Sequence, residues 1–347
     1  MSIRGLGRLK QAGRKLRSRF QPGALILLYH RVASLPTDPQ RLAVTPDNFE
    51  AHLEIIKQSC VPISLQDLAQ GVNRRAITPR SVAITFDDGA ADNLTNAKPL
   101  LLKCGFSATV FVATGYSNSG REYWWDEVDR ILLQPSVLPD KLELGVNGKV
   151  FSRKLGDACV YDQKEYVRFS SWSANEQPPT ERHLLYQQLI EFLLPLLPDD
   201  RLLAIRQLNA WTGREESTRP THRPLTRNEV KQLSDGGSIE IGAHTVSHSV
   251  MSSLPTDLQR REILESKTHL EEILGRSIRS FAYPFGTLAD YTKETVGLVK
   301  EAGFEYACSN YKDVVQPGAD VFQLPRVIVR NWSGNEFRKQ LETWFRG

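Results

Sequence analysis

Short, largely apolar runs recur along this chain, most of them followed by a stretch with helical spacing. Leu25 to Tyr29, Ser81 to Phe86, Ala108 to Val112, Ser238 to Ala243 and Ser280 to Tyr283 each read as a buried strand. Thr45-Pro46 opens a helix running through Leu53 and Ile56, and Asn96 to Lys103, Thr256 to Leu274 and Tyr291 to Ala302 are also helical. Two last strands are expected at Tyr306 to Ser309 and Gln323 to Val329. Strands alternating with helices in this way build βαβ units, so the expected class is α/β.

The interval 117–236 breaks the rhythm. Lys141 to Ser152 reads as a hairpin turning at Asn147-Gly148, and helices follow at Glu181 to Leu197 and Arg201 to Thr212. We read it as a lid or substrate-binding insertion in one domain. The expected organisation is a basic arm, 1–21, and one domain, 22–347, with that insertion.

The length of 347 residues allows one large domain, and 40% hydrophobic with 24% charged residues is ordinary for a globular protein. Four cysteines, Cys60, Cys104, Cys159 and Cys308, are scattered without a C-x-x-C pair, so buried thiols are expected rather than disulfides or a zinc knuckle. The net charge of +4 hides an uneven distribution. Residues 1–20 carry seven basic side chains and no acid; without them 37 basic residues face 40 acidic ones, which argues against a nucleic-acid-binding body. Ile3, Leu6, Leu9, Leu16 and Phe20 give the arm a rough helical stripe. It reads either as an amphipathic segment making peripheral contact with anionic membrane or as a solvated tail. No apolar run near the start is long enough for a secretory leader, so the expected location is cytoplasmic, at the inner membrane face.

Thr85-Phe86-Asp87-Asp88-Gly89 ends one predicted strand. Alone, an Asp-Asp-Gly there is equally a simple turn. His244-Thr245-Val246-Ser247-His248 ends another predicted strand, and histidines four apart share a face on a helical turn. Two imidazoles and a carboxylate are a common hydrolytic metal set, and a second aspartate outside that set can accept a proton from water.

Together these two motifs resemble the polysaccharide deacetylase (NodB-homology, carbohydrate esterase family 4) superfamily. The resemblance implies a distorted (β/α)7-type barrel over roughly 22–330, with Asp87 as base and Asp88, His244 and His248 as metal ligands. It departs from the family pattern twice. Ser280-Phe281-Ala282-Tyr283-Pro284-Phe285-Gly286 lacks the arginine expected before the Tyr-Pro segment, and Gln323 to Val327 lacks the C-terminal Leu-x-His. Leu28-Tyr29-His30 places a Leu-x-His at the first strand instead, as in the permuted poly-N-acetylglucosamine deacetylase branch. On this likeness His30 is the general acid, and Arg326, on the last strand, stands in for the missing arginine. Tyr283, Pro284 and Trp125 are assigned to substrate, Trp125 as a stacking surface for a sugar ring. The implied cofactor is a divalent metal, zinc by default, with cobalt, nickel or manganese as substitutes. The implied substrate is an acetylated amino sugar in a glycan or glycolipid, deacetylated at nitrogen. An O-acetyl esterase and a non-catalytic glycan-binding barrel are the alternatives.

Overall fold

The computed structural model describes residues 23–117, 119–213 and 217–346. The basic arm, and with it the membrane contact expected of residues 1–20, lies outside these. Among the described residues no helix is long and apolar enough to cross a membrane.

Seven parallel strands form the centre: β1 (Leu25–Tyr29), β2 (Ser81–Phe86), β3 (Ala108–Val112), β4 (Ile239–Ala243), β5 (Ser280–Ala282), β6 (Tyr306–Cys308) and β7 (Val327–Ile328). Their spatial order is β6-β5-β4-β3-β2-β1-β7, with the short strand Val61–Pro62 beside the start of β2. A bridge between Cys308 and Leu324 joins β6 to the segment leading into β7, so the sheet closes on itself. The fold is the expected distorted (β/α)7 barrel. β1, β2 and β3 are buried at every position, because helices cover one face and the barrel interior fills the other.

Helix boundaries follow local chemistry. The Thr45 hydroxyl accepts from Asn48 N–H, with Pro46 in the first turn, to open Pro46–Ser59. Gly275, at φ +66°, ends Thr256–Leu274. The last strand is shorter than expected because Pro325 has no N–H to give a ladder, leaving only Leu324 bridged ahead of Val327–Ile328. The helix expected from Asn96 begins earlier, with a wide turn over Asn93–Ala97.

The insertion builds its own apolar cluster. Its hairpin pairs Lys141–Val146 with Lys149–Lys154, turning at Asn147 and Gly148, both at positive φ. Leu142, Leu144 and Val146, the buried positions of the first strand, share one apolar cluster with Leu185 and Leu189 of helix Glu181–Leu193 and Ile205 and Leu208 of helix Pro198–Trp211. Tyr123 and Trp125 belong to the same cluster and lie against the barrel's open end. Cys104 and Cys308 are buried and Cys60 and Cys159 half-buried, all as free thiols.

Candidate metal centre and active site

Asp87 and Asp88 leave the C-terminal end of β2 together but face different partners. Asp88 sits at φ +72° and Gly89 at φ +84°, and a Cβ on Gly89 would press within 3.1 Å of the Val112 side chain. The chain therefore turns sharply after Asp87, and glycine is what lets it pass β3. Tyr29 O accepts from the Asp87 N–H, tying the turn to β1, and Asp88 O accepts from the Tyr123 hydroxyl at 2.6 Å.

Arg326 reaches Asp87 from the segment ahead of β7. Its Nη1 and Nη2 donate to Oδ1 and Oδ2 at 2.6 and 2.7 Å, a bidentate pair in a fully buried position. Nε donates to Ser309 O, which fixes the plane of the guanidinium. Burial is the largest influence on Asp87 and pushes its carboxyl up. Arg326, His244 and His30 together outweigh it and hold the carboxyl below the usual range. Asp87 is thus ionised at neutral pH, with both oxygens oriented.

Asp88, His244 and His248 converge so that one ligand atom from each lies within 4.8 Å of the others. His244 follows β4, and its Nδ1 is bonded to Ala282 O at 2.8 Å, which leaves Nε2 for a ligand role. That Nε2 lies 3.7 Å from Asp88 Oδ1 and the same distance from Asp87 Oδ2. His248 Nε2 lies 3.1 Å from Asp88 Oδ1, yet among the described residues this buried oxygen has no partner with hydrogen-bond geometry. A buried acceptor facing two imidazole nitrogens without donors is the arrangement a divalent cation would satisfy, and the two-nitrogen, one-oxygen donor set suits one. Burial, ahead of the opposing pull of Asp87, lowers the His244 pKa to about 4, so its imidazole is neutral, as a ligand must be.

The two histidines do not share a helical turn. Thr245 and His248 have φ of +64° and +53°, so residues 244–248 form a loop. The loop lies against the end of β3, where Thr114 and Gly115 N–H donate to Thr245 O and Val246 O. A Cβ on Gly115 would come within 2.7 Å of Val246 O, so this approach requires glycine. The Thr245 hydroxyl accepts from His248 N–H and closes the turn. Asp88, Thr245, His248 and Phe285, at φ +58°, are all non-glycine residues in the left-handed region, each strained by on the order of 1 kcal/mol. Strain of this kind gathers around the Asp88, His244 and His248 cluster.

His30 follows β1 and is half-buried; Asn93 Nδ2 donates to its carbonyl. Burial is the largest influence on its ring and leaves the pKa below the ordinary histidine value. The fields of Asp88 and Asp87 oppose that shift. Beside it, Arg31 is bonded through Nε and Nη2 to Asp92, which also accepts from Val32 N–H and braces the end of β1.

Three substrate assignments need correction. Tyr283 is fully buried, stacked on Tyr291 at 4.1 Å, with its hydroxyl donated to Phe322 O; it is core, because the chain turns outward only after it. Pro284 is buried too. Trp125 is 7% exposed, with one face stacked on Tyr123 and its ring edge-on to His248 at 4.8 Å. It walls His248 instead of offering an open platform. Sequence reasoning missed Phe285, whose ring meets His248 at 4.9 Å, and Tyr123, because neither carries a signature beyond its apolar surroundings.

A family model described as polysaccharide deacetylase matches residues 74–137 and 204–307, the segments that carry Asp87, Asp88, His244 and His248. This chain carries a polysaccharide deacetylase domain. A poly-β-1,6-N-acetyl-D-glucosamine N-deacetylase of Staphylococcus aureus is 22% identical over 128 residues, or 35% of this chain. That match spans 42% of the relative's length. The Streptococcus pyogenes deacetylase PplD, solved with acetate, superposes with a TM-score of 0.56 at 16% identity, covering 92% of this chain and 99% of its own. IcaB from Ammonifex degensii gives 0.57 at 17% identity, covering 94% and 98%. The part of the insertion between 138 and 203 falls outside the family model.

Proposed function

We propose that this protein is a metal-dependent hydrolase that removes N-acetyl groups from an amino sugar within a glycan or glycolipid. The observation that carries the reading is the buried, bidentate Arg326–Asp87 pair set beside the Asp88, His244 and His248 cluster. A binding protein has no use for an ionised, oriented carboxylate next to a metal site; a hydrolase needs one.

Asp88, His244 and His248 would hold the ion, which supplies Lewis acidity toward water and the acetyl carbonyl; zinc fits the mixed nitrogen and oxygen donors best. Asp87 accepts the proton of the attacking water, while Arg326 keeps both its oxygens aligned. His30, once it carries the proton passed on from Asp87, delivers it to the departing amine as the carbon–nitrogen bond breaks, which returns both side chains to their starting states. Trp125 and Phe285 pack on His248 and exclude water from its side of the site. The name of the Staphylococcus aureus relative supports nitrogen rather than oxygen as the acetyl carrier. The basic arm is assigned to anionic membrane. Co-sedimentation with anionic vesicles should fall in a chain beginning at Gln21, and equal binding of the two chains removes that assignment.

Acetate release from N-acetylated glucosamine oligomers and from O-acetylated glycans tests the activity. Release from the first class alone is expected. Release from the O-acetylated class alone would make the protein an esterase, and release from neither would leave a binding protein. His30→Ala should keep its ion and lose about 100-fold or more in kcat; near-normal turnover would remove the acid role.

A further inference from the structure

Arg201 lies in the part of the insertion outside the family model, yet its guanidinium reaches the loop that carries His248. It is 3% exposed and has no carboxylate within ion-pair distance among the described residues. Nη2 donates to the Ser249 hydroxyl at 2.6 Å and to Ser247 O at 3.3 Å, one on each side of His248. The Ser247 and Ser249 hydroxyls are themselves 2.8 Å apart. From the barrel side, the Glu262 carboxylate accepts from Val246 and Ser247 N–H at 2.9 and 2.8 Å. The loop is thus held between a buried cation from the insertion and a carboxylate from helix Thr256–Leu274. Burying an arginine without a carboxylate is costly, and a run of strained or tightly bonded residues does not hold its shape unaided. Trp124, under the Arg201 guanidinium at 5.3 Å, completes the seat.

We propose that Arg201 is a positioning residue for the metal centre: by gripping both sides of His248 it makes divalent-ion affinity depend on the docked insertion. The inference rests on Asp88, His244 and His248 being the ligands. Linkage then requires the converse, that a bound ion tightens the insertion.

The test is zinc affinity of the full chain, by competition with a chromogenic chelator, for wild type, Arg201→Met, Arg201→Lys and Ser249→Ala. Loss of a group that orients a ligand typically weakens affinity about 10- to 100-fold, which is the range expected for Arg201→Met. Ser249→Ala, which removes only one small acceptor, should lose several-fold, and Arg201→Lys should recover part of the loss. Hydrogen exchange in helix Pro198–Trp211 should slow on adding zinc to wild type and stay unchanged in Asp88→Asn, a response that a merely structural arginine would not produce. If Arg201→Met does not fold, Ser249→Ala carries the test. Variants that bind zinc within twofold of wild type, or a helix indifferent to zinc, overturn the proposal. A wild type that binds no zinc overturns the metal-site reading itself.

Discussion

Asp87 and Arg326 are 239 positions apart in sequence and share two hydrogen bonds in a fully buried position. Removing one partner of such a pair leaves a buried, uncompensated charge, so Arg326→Met should destabilise the fold by about 3–5 kcal/mol in chemical denaturation. A loss below about 1 kcal/mol would mean the pair is not buried as described. The surviving carboxyl would also rise, since burial pushes it up and the counter-charge is gone. The acid limb of any residual activity should therefore move to higher pH. Part of the site is legible in the sequence. Adjacent aspartates and spaced histidines carry chemistry that packing does not demand, and the Tyr-Pro segment's missing arginine implies one elsewhere. That Arg326 fills this place depends on barrel closure, a contact no local pattern encodes. Tyr283 misleads because a tyrosine beside a site motif looks functional, whereas its ring packs below the rim.

Strands and helices are readable because apolar runs and helical periodicity act locally. Loop 244–248 is not, since its shape depends on Gly115, Glu262 and Arg201 from three other segments. The insertion offers a test of its own. His183 is 1% exposed, bonded to the Thr180 hydroxyl and boxed by Trp172, Tyr161 and Phe169. Burial, with Arg182 adding to it, lowers its pKa to about 4. Because the folded value lies below the ordinary 6.5, the unfolded chain binds the proton more readily. The neutral ring's contribution is then complete above about pH 6.5 and is lost as pH falls toward 4. At pH 5 the loss is about 2 kcal/mol. His183→Phe keeps the aromatic box but cannot be protonated, so its Tm should drop less than wild type's between pH 7 and 5. Parallel curves would show that His183 does not carry this dependence.

At the scale of the molecule, a closed parallel barrel gathers residues from the ends of β1, β2, β4 and β5 at one face, with Arg326 entering from just ahead of β7. Ion binding there should stabilise the whole fold by mass action, about 2.7 kcal/mol at a free concentration one hundred times Kd. Stripping the protein with a chelator should lower Tm, and restoring zinc should recover it; an unchanged Tm would argue against the cluster as a metal site. The barrel class follows from strand–helix alternation and the family likeness, whereas the insertion's separate apolar cluster depends on how its hairpin and helices meet. The most direct measurement is acetate release from an N-acetylated glucosamine oligomer by wild type and Asp87→Asn, with metal content measured on the same samples. Equal metal in both is expected, with a kcat at least about 100-fold lower in Asp87→Asn. Near-equal turnover by a fully metallated Asp87→Asn would rule out Asp87 as the base.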